Sequence, residues 1–195
     1  GLRHLVGGLA QNQLLENLDL SGNKFDYDTV ISLAEVLKKN TKLQSLHLVI
    51  PYRTLVVLVD ALKNNQTLQK LYLLVDDDSF SSPNIVINDT LPNIVINDKK
   101  NTTLKELHLS PFSHLLERDY LPYLPVVKKL LKDTSLEILD LSANKFGDER
   151  VIELLNELNL TTLQTLNLSD NKIGDEGAIF LANVLKNNQT LQTHN

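Results

Sequence analysis

Leucines recur along the chain in a short pattern, L-x-x-L-x-L, in which the last two leucines flank one variable residue. Regular repetition at intervals of 25 to 36 residues is typical of stacked structural units that bury their apolar faces against one another. The pattern starts at Leu15, Leu43, Leu68, Leu104, Leu136 and Leu163, and a further copy begins at Leu191.

Each unit predicts a strand, a turn and a helix. The alternation L-x-L predicts a short strand with its leucines on one side and variable residues on the other. Asn23, Asn144 and Asn171 follow three of these strands, where a short amide side chain can bond to backbone groups that a turn leaves unpaired. Apolar residues at helical spacing come next, for example Val30, Leu33, Ala34 and Leu37, or Ala178, Leu181, Ala182 and Leu185.

Residues 163–188, LQTLNLSDNKIGDEGAIFLANVLKNN, resemble a repeat of the leucine-rich repeat family, in its long, ribonuclease-inhibitor-like and NOD-like-receptor type. The resemblance covers essentially the whole chain. It implies an α/β solenoid, the horseshoe fold, with a parallel sheet on the concave side and helices on the convex side. It also implies protein binding on the concave face, which is the common role in this family.

The repeats predict a single array over residues 1–195. Residues 1–14 match the helix half of a repeat, full repeats start at 15, 43, 68, 104, 136 and 163, and a partial repeat starts at 191. Because solenoids need polar terminal caps and neither end shows one, we expect the chain to be a fragment of a longer protein.

The middle repeats depart from the pattern. Pro51, Asp76 and Phe112 replace the turn asparagine, and two repeats are lengthened, after Asp76 and after Ser110. The first insertion contains PNIVIND twice, at 83–89 and 92–98. Loops on a rigid scaffold often carry recognition, so the insertions are candidates for a binding rim. The alternative is a neutral duplication, with the aromatic residues packed under a longer loop.

The variable strand residues form the second candidate surface. The middle residue of L-x-L is an aspartate or asparagine at the ends of the array and a His-Tyr-His series at its centre. Amphipathic aromatic residues supply contact area at interfaces, although a solvated sheet face without a partner is the alternative. The candidate partner-binding residues are His47, Lys70, Tyr72, Glu106, His108 and Asp140 on the sheet, with Phe112, Tyr120 and Tyr123 on the rim.

Neither catalysis nor metal binding is predicted, and no cofactor is expected. His47 and His108 lie two strands apart, roughly 10 Å, which is too far for one shared metal ion. A hydrolytic set of Ser45, His47 and Asp19 lacks an oxyanion donor and an enclosed pocket. The contiguous aspartates 76–78 do not alternate as calcium ligands do. Sequons begin at Asn65, Asn101 and Asn188, and in a chain rich in Asn and Thr they are expected by chance.

Composition narrows the class of partner. The net charge is -5, no cysteine is present and the apolar runs are short. We therefore expect a monomer, apart from contacts at uncapped ends, that binds a protein rather than nucleic acid, a membrane or a small-molecule substrate. The lack of cysteine fits a cytoplasmic location. The abundance of Asn, Lys and Ile suggests a bacterial effector acting in a host cytosol.

The sequence thus favours a non-enzymatic scaffold for protein–protein interaction. Two alternatives remain: a GTPase-activating regulator, since the Ran-specific activator shares this repeat type, and the sensor segment of an NOD-like receptor.

Overall fold

The structure is a computed structural model that describes residues 1–76, 101–110, 128, 131, 132, 135–158 and 160–194. The predicted rim residues Phe112, Tyr120 and Tyr123 and both PNIVIND segments lie outside the described residues.

The strands form one parallel sheet of seven strands, arranged in the order in which they occur along the chain. The strands are β1 (Asn17–Asp19), β2 (Ser45–Pro51), β3 (Lys70–Asp76), β4 (Glu106–Ser110), β5 (Ile138–Asp140), β6 (Thr165–Asn167) and β7 (Thr193–His194). Parallel strands that follow one another in this order need a crossover in every layer. The described helices supply the crossovers from β1 to β2, from β2 to β3, from β5 to β6 and from β6 to β7.

The helices lie side by side on one face of this sheet. Helix α2 packs between α1 and α3, and the last two helices pack against each other. Helix α2 begins with Asp26 as its N-cap, whose carboxylate accepts a hydrogen bond from the Thr29 amide at 2.8 Å. The helices are α1 (Leu2–Gln11), α2 (Tyr27–Lys39), α3 (Leu55–Asn64), α4 (Gly147–Glu157) and α5 (Asp175–Asn187), with a short 3-10 helix (Tyr52–Thr54) before α3.

The core lies between the sheet and the helices and consists mainly of the repeated leucines. Both leucines of each central L-x-L segment are buried, as Leu46 and Leu48 illustrate. The predicted helix face of Val30, Leu33, Ala34 and Leu37 is buried too, whereas in α5 only Gly177 is buried. The helix lies in the last layer, and none of the described helices covers its outer side. The α/β solenoid predicted from the leucine spacing is confirmed.

The turn asparagines bond to the backbone as predicted. The amide nitrogen of Asn171 donates to the carbonyl of Leu168, directly after its own strand, at 2.9 Å and to the carbonyl of Leu141 in the preceding layer at 2.8 Å. Asn144 makes the equivalent bonds to Leu141 and Leu109. Each amide therefore ends a strand and ties two layers together.

A second row of asparagines lies three residues before the first leucine of a repeat, where the sequence indicates only glycosylation sequons. The side-chain oxygen of Asn65 accepts the amides of Thr67 and Leu68 at 2.9 and 2.7 Å. Its nitrogen donates to the Leu37 carbonyl at 2.7 Å. Asn101 repeats this arrangement against the Leu62 carbonyl. Both asparagines are 1% exposed, so their amides serve the solenoid and are not available for a glycan.

Candidate functional site

The strand register places the candidate sheet residues in one continuous row across the open face of the sheet, the face away from the helices. Backbone pairing aligns Asp19 with His47, His47 with Tyr72, and Tyr72 with His108. The row continues to Asp140 and Asn167 on the next two strands. We call this line of side chains the central row. Because alternate strand residues point to opposite faces, the buried leucines beside them direct the whole row away from the core.

Three rings stack at the centre of the central row. The ring centroids of His47 and Tyr72 are 3.9 Å apart with a 35° angle between the planes, and those of Tyr72 and His108 are 4.2 Å apart at 16°. These separations are shorter than the usual spacing of strands, about 4.8 Å, so the rings lean into contact with each other. The stack restricts the rotamers of all three side chains before any partner arrives.

Glu106 holds this stack from one side. Its Oε1 accepts a hydrogen bond from the Tyr72 hydroxyl at 2.6 Å and lies 2.9 Å from Nε2 of His108. Its Oε2 pairs with the Lys70 ammonium at 2.7 Å. Both oxygens are engaged and the side chain is only 12% exposed. Glu106 therefore organises the surface from beneath, while the Lys70 side chain is 53% exposed.

The Glu106 network shifts the acidity of both of its central members. Burial by itself raises the pKa of the Glu106 carboxyl, but the hydrogen bonds from its three neighbours outweigh burial and lower the pKa to about 2. The hydrogen bond to this carboxylate, together with burial, raises the pKa of the Tyr72 hydroxyl to about 12. Glu106 is thus ionised and Tyr72 protonated at every physiological pH, so their bond persists.

Two further aspartates border the ring stack. Oδ2 of Asp140 lies 3.4 Å from Nδ1 of His108, and Oδ2 of Asp19 lies 3.7 Å from Nδ1 of His47. The other oxygen of each accepts a backbone amide, from Ser142 at 2.9 Å and from Ser21 at 2.8 Å. The hydrogen bond from Ser21 lowers the pKa of Asp19. Burial by itself raises the pKa of Asp140, but the hydrogen bonds to its carboxylate, chiefly from Ser142, have the larger effect. The pKa of Asp140 is therefore lowered. The rings thus lie between two ionised carboxylates.

An apolar strip runs beside the ring stack. Val49 and Leu74 pair with each other two residues beyond His47 and Tyr72, on the same face of their strands. The Leu74 side chain is among the few large apolar groups in the described chain that remain exposed, at 37%. The open face therefore combines aromatic, aliphatic and charged groups within three neighbouring strands.

Metal chemistry finds no support in this arrangement. The Tyr72 ring lies between the two imidazoles, so His47 and His108 do not converge on one point. Within the described residues no group of three or more histidines and carboxylates is placed to hold a metal ion. None of the helices the structure describes is long and apolar enough to cross a membrane.

The repeats match a known family in three places. A model described as "Leucine Rich repeat" matches residues 11–34, 132–154 and 156–182. These segments include the layers of β1, β5 and β6, which have the turn asparagine. The chain is a leucine-rich repeat protein.

Two solved structures are similar to the chain at low sequence identity. A structure titled "Leiomodin-1 Actin-Binding Site 2 (ABS2)" is 16% identical, with a TM-score of 0.48 over 70% of this chain and 76% of that one. A tropomodulin C-terminal domain from Caenorhabditis elegans is 10% identical, with a TM-score of 0.48 over 95% of this chain and 91% of that one. No curated protein matches the chain.

The sequence located the members of the central row but missed how they interact. Glu106 was predicted as a partner contact, and the structure places it largely beneath its neighbours with both oxygens engaged. One signal was available, because Glu106 stands one strand from both Lys70 and Tyr72 in the aligned repeats. Which of these neighbours it binds depends on side-chain rotamers, and the leucine pattern does not specify them.

Proposed function

We propose that this leucine-rich repeat protein is a non-enzymatic module that binds a protein partner through the open face of its sheet. The observation that carries the proposal is the stack of His47, Tyr72 and His108, which is ordered by the Glu106 carboxylate and is partly open to solvent. Ordered aromatic side chains give contact area at a small cost in entropy when a partner docks. The contribution of Phe112, Tyr120 and Tyr123 to binding stays a prediction from the sequence, because these residues lie outside the described part of the chain.

The setting of this binding is part of the same proposal. An effector role in a host cytosol is supported by the abundance of Asn, Lys and Ile and by the lack of cysteine. The full-length gene and its genomic neighbourhood test this setting directly.

Affinity capture with matched variants tests the binding function. The Tyr72→Ala/His108→Ala protein removes two rings from the stack. The His4→Ala/Tyr27→Ala protein removes one histidine and one tyrosine from the helix side, where both residues are exposed. We expect a protein that is retained by the unmodified chain and by the helix-side variant, and is lost with the sheet variant. Circular dichroism of all three proteins checks that they are folded.

Equal capture by both variants would exclude the central row as the binding surface. Acceleration of GTP hydrolysis in a panel of small GTPases would instead favour the regulator of the Ran-activator type.

A further inference from the structure

The charges on the open face are unevenly matched. Among the side chains of the central row and its Lys70–Glu106 neighbours there are three carboxylates and one ammonium group. Lys70 pairs with Glu106, whereas histidine is the only basic side chain that the described residues place beside Asp19 and Asp140. The face therefore presents two carboxylates that are not paired with a lysine or arginine among the described residues.

These two carboxylates lie at opposite ends of the ring stack. Asp19 is on β1 and Asp140 is on β5, so four strand spacings of about 4.8 Å separate them, roughly 19 Å. One oxygen of each carboxylate accepts a hydrogen bond from a backbone amide, and the other oxygen faces the ring stack. The Asp19 side chain is 62% exposed and thus open to a partner.

The surface between the carboxylates is suited to an alkyl stem. The edges of the ring stack and the Val49–Leu74 strip form a partly exposed apolar band from β2 to β4. Long basic side chains lay their methylene groups on apolar surface while the charged end reaches a polar group. Arginine fits better than lysine, because its planar guanidinium binds a carboxylate with two parallel hydrogen bonds and stacks on aromatic rings.

We propose that the open face recognises an arginine-bearing segment of its protein partner, with guanidinium groups bound at Asp19 and Asp140 and their stems on the apolar band. This inference rests on the proposed function and specifies the chemistry of the partner. An extended chain rises about 3.3 Å per residue, so a segment of about six residues spans the two carboxylates.

Peptide binding to the whole chain tests the inference. The probes are fluorescein-labelled nona-arginine, nona-lysine and nona-glutamate, measured by fluorescence anisotropy at about physiological ionic strength. Nine residues suffice to reach both carboxylates. We expect nona-arginine to bind most tightly, nona-lysine several-fold more weakly and nona-glutamate not at all.

Two matched double variants separate recognition from general attraction to an acidic protein. Asp19→Asn/Asp140→Asn keeps the oxygens that accept the Ser21 and Ser142 amides, and it removes two charges from the open face. Glu149→Gln/Glu176→Gln removes two charges from exposed helix positions. We expect the sheet variant to lose about tenfold or more in nona-arginine affinity, and the helix variant less than about threefold.

Equal loss in both variants, or no binding of nona-arginine to the unmodified chain, would overturn the inference. Binding of nona-glutamate that depends on Lys70 would point to an acidic partner and would overturn it as well. These outcomes are distinct from failure of the proposed function. Affinity capture that depends on Tyr72 and His108 but is unchanged by Asp19→Asn/Asp140→Asn would keep the binding function and reject the arginine specificity.

Discussion

Strands β2 and β3 in the middle of the sheet continue for seven residues each, whereas β5 and β6 end after three. In the outer layers the side chains of Asn144 and Asn171 donate to carbonyls at the turn that follows the strand. The central layers have Pro51 and Asp76 at the equivalent positions, and the strand pairing continues through these two residues. We therefore attribute the shorter outer strands to the turn asparagine.

The two regions also differ in the hydrogen bonds that order them. In the outer layers the order comes from side-chain amides bonded to backbone carbonyls, which any repeat of this type can form. In the centre it comes from side chains bonded across strands, with Glu106 joined to Tyr72 and Lys70. The longer strands give the centre more surface, and the specific contacts give it a fixed shape. The region that departs from the repeat is therefore the one suited to recognition.

The largest expected effect concerns the core, which both regions share. Leu73 in β3 and Leu141 at the end of β5 are the second leucines of their L-x-L segments and are 1% and 0% exposed. We expect Leu73→Ala and Leu141→Ala to lower the free energy of unfolding by similar amounts, about 3–5 kcal/mol, measured by urea denaturation. Leu74→Ala, next to Leu73 on the open face, should cost less than about 1 kcal/mol. Equal costs at 73 and 74 would mean that the strand register is wrong.

The second largest effect is expected at the turn asparagine Asn171. Asn171→Ala removes the bonds to the Leu141 and Leu168 carbonyls, which lie in a buried turn. Leaving these acceptors unsatisfied should cost about 2–4 kcal/mol. Asn187→Ala is the control, because this asparagine is exposed and its amide donates only to a carbonyl of its own helix at 3.3 Å. If Asn171→Ala destabilises the protein no more than Asn187→Ala does, the bonds of the turn amide do not explain why the outer strands are short.

The Glu106 network should respond to pH in a specific direction. The pKa of Glu106 falls from 4.5 to about 2 on folding, so the unfolded chain binds more protons between those values and stability decreases as the pH drops through that range. Glu106→Gln should destabilise the protein by about 1–3 kcal/mol at neutral pH, and the difference from the unmodified chain should shrink toward pH 2. A pH-independent difference in the denaturation midpoint would contradict this assignment.

Tyr72, in the same network, should lose its stabilising contribution at high pH, whereas Glu106 loses its contribution at low pH. The pKa of Tyr72 is raised to about 12, so its stabilising contribution is complete below pH 10.0 and is lost as the pH rises to about 12. Phenolate absorbance, taken as the difference between the unmodified chain and Tyr72→Phe, should show this titration. Glu106→Gln should move it back toward 10.0, and no movement would show that the bond to Glu106 does not hold the phenol protonated.

The smallest expected effect concerns the turn backbone of the outer layers. Ala143 has a φ of 57°, a left-handed conformation that costs an alanine energy, and Gly22 holds the equivalent position in the first repeat with a φ of 73°. Ala143→Gly should therefore stabilise the chain by about 0.5–1 kcal/mol, and Gly22→Ala should destabilise it by a similar amount. Thermal denaturation measures both changes in stability. Midpoint shifts of the same sign in the two variants would contradict the assignment of backbone strain to Ala143.

The asparagines that precede the repeats show what a search for sequence patterns can find. Asn40, Asn65, Asn101 and Asn188 each stand three residues before the first leucine of a repeat, and each accepts that leucine's amide. This constant spacing was visible in the sequence. At Asn65, Asn101 and Asn188 the same asparagine also begins an Asn-x-Thr sequon, and only burial distinguishes a structural amide from a glycosylation site. The 1% exposure of Asn65 and Asn101 settles the structural meaning.

The spacing of leucines by itself determined the layers, the parallel order of the strands and the side chains that face outward. That information is local, because alternate residues of a strand point to opposite faces and every repeat packs its leucines against its neighbours in the same way. Only the tertiary structure decided the length of β2 and β3, the contacts between the three rings and the protonation of Tyr72. These features depend on the rotamers of side chains from neighbouring strands, 25 to 36 residues apart along the chain, and on how far those side chains are shielded from water.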